Sequence, residues 1–288
     1  MFTSQQTETF LRDGYATFEN HETNSFSSFD LVTKNFFESM ELYEILGIEK
    51  GSDFSLRSTQ FGPFLDVTKR KGFARIAVGT DVLRLVLSDQ NPYFGEGFSY
   101  KVSNVFNPHV RDFHLSEEQM NRLFALMYEP AMVIRTMLLS VNVDQSVIDL
   151  MEKGYYGSIH AGLTYYEPYG TINGTGKIAH RDILKDGITG SVGFTDSKWF
   201  LGANAEEAQE YVFRKGTGFY MNCFEDGLGS TRIVHDLFVD ADEIRTAFIL
   251  SMRGEFVREY LNNNGLYVPT LEILKATSPA NLEGIQHG

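Results

Sequence analysis

The chain has 288 residues, 42% hydrophobic and 14% aromatic, enough for a sizeable core in one large domain or two small ones. Its formal net charge of −13 speaks against DNA, RNA or an anionic membrane as partner, because those are gripped by Lys/Arg clusters; Lys69-Arg70-Lys71 reads as a solvated turn. A single cysteine, Cys223, excludes an intrachain disulfide, and with no apolar signal core at Met1–Glu8 and no run of about 20 apolar residues, the expectation is a cytoplasmic protein.

Residues 5–13 read as a short helix and Gly14 to Phe18 as a strand. From Ser28 to Leu46, apolar residues at Phe29, Val32, Phe36, Phe37, Met40 and Tyr43 recur at spacings of three and four, which predicts one amphipathic helix with Ser28 or Asp30 as N-cap. Gly51 to Gly79 mixes Gly, Pro and charge, and reads as loops with one or two strands; binding residues often sit on such loops. Gly79 to Leu87 reads as a short helix. Asn91 to Pro108 reads as a packed aromatic surface loop, with a lid over a pocket as the other option. Ser116-Glu117-Glu118-Gln119 is a capping box that opens a helix to about Leu139, with Pro130 expected to kink or interrupt it. A further helix near Gln145 to Lys153 stops at Gly154.

From Tyr155 the hydrophobic period changes from 3.6 to 2. Strands are predicted at 155–159, 163–166, 178–182, 189–194, 211–213, 219–222, 231–239 and 245–251, many separated by Gly-rich turns. Eight short strands at this spacing suit a double-stranded β-helix, or jelly roll. The expected fold is therefore mainly β with a helical N-terminal half, in one domain: a helix-rich region 1–154, a jelly-roll core 155–253 and an extension 254–288.

The chemistry concentrates between Leu163 and Ser251. Residues i and i+2 of a strand share a face, so His180 and Asp182 reach one metal ion from one strand while Arg181 points away. His235, 53 residues after Asp182, sits in a β-branched run and is the candidate third ligand. Two imidazoles and a carboxylate with open positions opposite are the facial ligand set of non-heme Fe(II) oxygenases. Arg245, ten residues further on, opens the next strand. An always-charged guanidinium grips a carboxylate through two parallel hydrogen bonds, which suits the far end of a 2-oxo acid whose other end chelates the metal.

Together with Leu163-Thr164-Tyr165-Tyr166-Glu167-Pro168, this order resembles the Fe(II)/2-oxoglutarate-dependent oxygenase superfamily, in particular its isopenicillin N synthase-like branch. That branch shows Asn-x-Tyr, then His-x-Asp, then His, then Arg-x-Ser; the matching positions are Thr164 and Tyr166, His180 and Asp182, His235, and Arg245 with Ala247. Thr164 stands in place of the Asn and Ala247 in place of the Ser. The firm match covers about a third of the chain. The His-x-Asp pair alone has little value; the ordered set is far rarer. The bland reading is two histidines on solvated strand faces.

Three partial motifs fall away. His180-Arg181-Asp182 resembles a kinase catalytic loop, but no Asp-Phe-Gly occurs. Gly174-Thr175-Gly176-Lys177 lacks the first Gly and the Ser/Thr of a phosphate loop. His160-Ala161-Gly162 resembles the His-x-Gly of iron halogenases, but it precedes Tyr166, the wrong order.

The resemblance implies Fe(II) on His180, Asp182 and His235, 2-oxoglutarate on Arg245 with Tyr166 and Thr164, and dioxygen as oxidant. The expected reaction is oxidation of an unactivated C–H of a small metabolite, by hydroxylation, desaturation or cyclisation. The high aromatic content is mostly core; an aromatic-lined pocket for an apolar or ring-bearing substrate is the functional option. Two rivals stand beside this reading: an iron-dependent oxidase of the isopenicillin N synthase type that uses no 2-oxo acid, which Ala247 leaves open, and a non-catalytic jelly-roll binding module.

Overall fold

The computed structural model describes residues 4–20, 29–58, 65–87, 100–102, 115–141, 159–167, 187–202, 209–222, 234–238 and 244–253. Five helices and twelve strands lie among them. Helix α1 (Ser4–Asp13) turns through Gly14, at φ 80°, into β1 (Tyr15–Glu19). The stretch read as one helix is two: α2 (Phe29–Glu38) and α3 (Met40–Leu46). Ser39 between them takes an extended backbone, φ −63° and ψ 124°, and α3 closes on Gly47 at φ 63°. A period-3.6 pattern is blind to one residue in the β region. The break lets Phe36 and Phe37 bury from one helix and Leu42, Tyr43, Ile45 and Leu46 from the next, and the Tyr43 hydroxyl donates across it to the Phe37 carbonyl at 3.0 Å.

The segment read as loops with one or two strands carries three: β2 (Phe54–Ser58), β3 (Leu65–Arg70) and β4 (Phe73–Gly79). Tertiary context overrides the local reading here. Asp66 and Thr68 look like loop polarity but are buried on one sheet face, while Leu65 and Val67 are buried on the other. Helix α4 (Thr80–Leu87) follows, and β5 (Tyr100–Val102) lies within the stretch expected to be irregular. Helix α5 (Glu117–Ser140) carries the expected capping box, Gln119 N–H to Ser116 Oγ at 3.2 Å and Ser116 N–H to Gln119 Oε1 at 2.9 Å. It runs without interruption through Pro130. Burial of Met127, Ala131, Ile134 and Leu138 around that point holds the helix where the proline removes a hydrogen bond. By length and composition α5 is also apolar enough to cross a bilayer, a property the sequence reading assigned to no stretch; its buried side belongs to the protein core.

The remaining strands are β6 (Ile159–Tyr166), β7 (Gly187–Gly193), β8 (Ser197–Gly202), β9 (Gln209–Phe213), β10 (Thr217–Asn222), β11 (Val234–Phe238) and β12 (Arg245–Arg253). The expected strand 163–166 extends back through Gly162 to Ile159 in β6, residues 155–158 of the strand expected before it lie outside the described residues, and β8 was not anticipated. The expected strand 178–182, the helix near 145–153 and everything after 253 lie outside the described residues.

The protein is mostly β. Nine strands form one antiparallel sheet in the order β1-β10-β7-β12-β6-β4-β3-β2-β5, and three form a second, β11-β8-β9. The region expected to be helix-rich thus holds all five described helices and also five strands, all of them in the large sheet. Alternation gives that sheet two different faces. On one, Phe248, Leu250 and Met252 of β12, Leu163 of β6 and Ile76 and Val78 of β4 pack with α2 to α5 in the main core. On the other, Phe219 and Met221 of β10 pack with Trp199 and Leu201 of β8 and Phe213 of β9 in a second, smaller core. The space between the two sheets is where the candidate site lies.

Candidate active site between the sheets

Register assembles the site from adjacent strands. On the β12–β6 ladder Arg245 is the partner of Tyr166 and Ala247 of Thr164; on the β4–β6 ladder Phe73 is the partner of Tyr166 and Arg75 of Thr164. Directly paired residues share a face, and the even-numbered positions of β12 belong to the helix-side core, so this row looks toward the small sheet.

Arg245 is only 4% exposed. Its Cζ lies 5.1 Å from the Tyr166 ring centre and 4.9 Å from that of Trp199, which reaches it from the small sheet. The Trp199 indole N–H donates to Ser197 Oγ at 3.0 Å, and its ring meets Phe219 edge-on at 4.7 Å. Burial pulls the Arg245 guanidinium down to about 10, an effect the nearby Tyr166 hydroxyl partly opposes. Burial likewise pushes the Tyr166 hydroxyl above its ordinary value, against the pull of Arg245 and Arg75. The Arg245 Nε is buried and has no hydrogen-bond partner among the described residues. A buried cation with an unmatched N–H is costly unless something anionic meets it.

Thr164 places its hydroxyl against the Ala247 carbonyl, donating at 3.2 Å across the ladder. Ala247, where the resembled branch has Ser, is fully buried. His235 is on β11, and its Cα pairs with that of Leu201 on β8, two residues along from Trp199. His180 and Asp182 lie outside the described residues, and among the described residues no group of three His, Cys, Asp or Glu side chains gathers. His160, set aside as a decoy, sits on β6 opposite Gly79 and Ser251.

The sequence reading missed a polar network on the same sheet face. Asp66 accepts from Thr68 Oγ1 at 2.6 Å through one carboxylate oxygen and from Arg75 through the other, and the Thr68 and Ser55 hydroxyls are 2.9 Å apart. Ser55, Asp66 and Thr68 are all buried. The signal was present in the alternation of Leu65, Asp66, Val67 and Thr68: a strand buried on both faces, one apolar and one polar. Trp199 was missed because an indole is neither a metal ligand nor a charged partner for a carboxylate. A cleft of about 80 Å³ beside α2 has Ala74 and Tyr165 in its walls, which puts it on the helix side of the sheet, away from Arg245.

No protein-family model matches the chain, and no curated protein matches it. Solved structures similar to it include the dioxygenase for auxin oxidation 1 from Arabidopsis thaliana in complex with 2-oxoglutarate (9% identity, 88% of this chain and 87% of that one, TM-score 0.45). They also include the dioxygenase for auxin oxidation from rice (9% identity, 87% and 76%, TM-score 0.45). A third is the Neurospora crassa T7H in complex with alpha-KG (12% identity, 86% and 77%, TM-score 0.41). Likeness at these identities and scores assigns neither fold nor activity, so the functional reading rests on the residues above.

Proposed function

We propose that the chain is a non-heme Fe(II)/2-oxoglutarate-dependent oxygenase that oxidises an unactivated C–H of a small metabolite. The observation that carries this reading is the Arg245 guanidinium: enclosed between two sheets, faced by Tyr166 and Trp199, with one N–H unmatched among the described residues. A carboxylate is the ligand that matches a planar, buried fork that is charged at neutral pH. The donor set His180, Asp182 and His235 fits ferrous iron, and the His235 strand belongs to the sheet that supplies Trp199.

In this reading the two sheets are the walls of a double-stranded β-helix. His180, Asp182 and His235 hold Fe(II), which when bound supplies the dioxygen chemistry. Arg245 binds the far carboxylate of 2-oxoglutarate through its N–H edge. Tyr166 offers that carboxylate a hydroxyl which burial keeps protonated and therefore able to donate. Trp199 and Phe219 keep water from the guanidinium, which strengthens its attraction for the anion. The substrate is a small molecule, apolar or aromatic in part, and the acidic chain with its single cysteine fits a cytoplasmic biosynthetic role.

The test is 2-oxoglutarate-dependent succinate formation by iron-loaded protein, with His180→Ala beside it. Succinate from the wild type and none from the variant supports the reading; equal turnover by both sinks it.

A further inference from the structure

Arg245 meets aromatic rings from two different sheets. Tyr166 is its neighbour on the adjacent strand of its own sheet, whereas Trp199 comes from β8, across the gap. The indole is not free to move aside: its N–H is held by Ser197 Oγ, and Phe219 abuts it. Trp199 is 8% exposed and Ser197 equally so. Along the same small sheet, Trp199 pairs with Leu237 and Leu201 with His235, so the ring that meets Arg245 stands on the strand next to the candidate metal strand.

We propose that Trp199 is the positioning residue of the Arg245 anion site. By occupying one face of the guanidinium it leaves the N–H edge as the surface open to a ligand and so selects a planar carboxylate. That it serves 2-oxoglutarate rests on the oxygenase reading above. The orienting contact itself stands on the geometry. A cation over an aromatic face in a dry site is attracted by the ring quadrupole, most strongly by indole. A guanidinium so held gives up less rotamer freedom when a ligand arrives, which raises affinity without any new contact to that ligand. Trp199 is also the sole tryptophan of the chain, so its fluorescence reports on this site alone.

Two measurements on the full-length protein separate this inference from the reading beneath it. In the first, protein labelled with ¹⁵N-arginine and free of co-substrate is followed by hydrogen exchange. The Arg245 Nε–H signal is assigned by its loss in Arg245→Met. It is expected to exchange slowly and to lie at a ring-shifted position, to persist in Trp199→Phe, and in Trp199→Leu to exchange faster and to move to the smaller shift that the Tyr166 ring alone produces. An Arg245 signal that is unchanged in Trp199→Leu overturns the orienting contact, whatever 2-oxoglutarate does. In the second, 2-oxoglutarate is titrated anaerobically into Mn(II)-loaded protein, by tryptophan emission for the wild type and by calorimetry for the variants. Saturable quenching is expected in the wild type. Trp199→Leu is expected to weaken binding by roughly 5- to 30-fold and to raise the KM for 2-oxoglutarate with little change in kcat, and Trp199→Phe to restore most of the loss. Equal affinity in the wild type and Trp199→Leu overturns the role in anion binding. A slow, ring-shifted Arg245 signal together with no 2-oxoglutarate binding by the wild type overturns the co-substrate reading and leaves the orienting contact standing.

Discussion

Arg245 and Tyr166 are partners across the β12–β6 ladder, and the guanidinium of one lies 5.1 Å from the ring of the other on a buried sheet face. Burial shifts both groups toward their neutral forms, the arginine down to about 10 and the tyrosine up, and their mutual contact offsets this only in part. Neither effect suits an isolated structural contact, because an apolar pair of the same size would fill the space without the desolvation penalty. Both effects suit a site that waits for an anion. The guanidinium then gains the charge partner it lacks among the described residues, and the hydroxyl remains a donor.

Replacing Arg245 by Met keeps much of the side-chain volume and removes the charge. Folding stability is expected to stay level or rise by about 1 kcal/mol, since a buried charge with poor compensation gives way to an apolar group. 2-Oxoglutarate binding is expected to weaken by roughly 30-fold or more, the loss typical when one partner of a buried hydrogen-bonded charge pair is removed. Urea unfolding and anaerobic calorimetry on the same preparation read the two effects. A variant that unfolds much earlier than the wild type and binds 2-oxoglutarate equally well would reverse the assignment, making Arg245 structural.

The lowered Arg245 value has a definite pH consequence. The folded protein holds this group at about 10, well below the ordinary arginine value. The stability penalty is fully present below pH 10, where both folded and unfolded chains are protonated, and is relieved as pH rises from 10 toward the ordinary arginine value, where the unfolded chain binds more protons. Carboxylate binding needs the protonated form. Affinity for 2-oxoglutarate is therefore expected to be flat from pH 7 to 9 and to fall by about tenfold per pH unit above the folded value. Calorimetric titrations across that range test it, and a decline already under way at pH 8 points to a group other than Arg245.

The metal ligands make a separate prediction. Ala at His180, Asp182 or His235 is expected to lower iron affinity by at least roughly 10- to 100-fold, since losses of that size follow removal even of groups one shell further out. His160→Ala is expected to retain iron, because His160 lies on β6 and outside the proposed ligand set. Iron content after dialysis against a weak chelator, measured for all four variants, is the check. Iron lost from His160→Ala and kept by His235→Ala would move the metal to a different set of side chains.

Some of this was legible in the chain and some was not, for physical reasons. The partnership of Arg245 with Tyr166 could be anticipated because both sit on period-2 strands and the motif order brings their strands together. Trp199 could not, because its role depends on a second sheet lying over the first, and nothing in Ser197 to Gly202 signals what it faces. Asp66, Thr68 and Arg75 read as loop polarity because polarity usually marks solvent; here the carboxylate and the hydroxyls satisfy one another inside the protein. The break at Ser39 and the continuity of α5 through Pro130 are decided by tertiary packing, which outweighs local propensity in both directions. His235 was placed on a strand by its β-branched neighbours, and β11 runs from Val234 to Phe238.

The last prediction concerns the spacing of the strands beneath the site. Gly162 pairs with Ala77 on β4 and Ile249 on β12, on the face that also carries Tyr166. A Cβ at Gly162 would lie 2.3 Å from the Ile76 carbonyl oxygen and 2.7 Å from the Ala77 Cα. Both are backbone atoms and cannot swing aside, so Gly162→Ala must push β4 away from β6. Gly47 is different: its φ of 63° strains a side chain, but nothing lies within 4 Å of the added carbon. Gly47→Ala is expected to cost about 1 kcal/mol, a backbone effect alone. Gly162→Ala is expected to cost about 3 kcal/mol, at the upper end of the overpacking range, and to weaken 2-oxoglutarate binding as well, because separating β4 from β6 displaces Tyr166 relative to Arg75. Chemical unfolding of both variants compares the costs. Equal destabilisation at the two positions would mean that the β4–β6 contact yields more readily than its geometry implies.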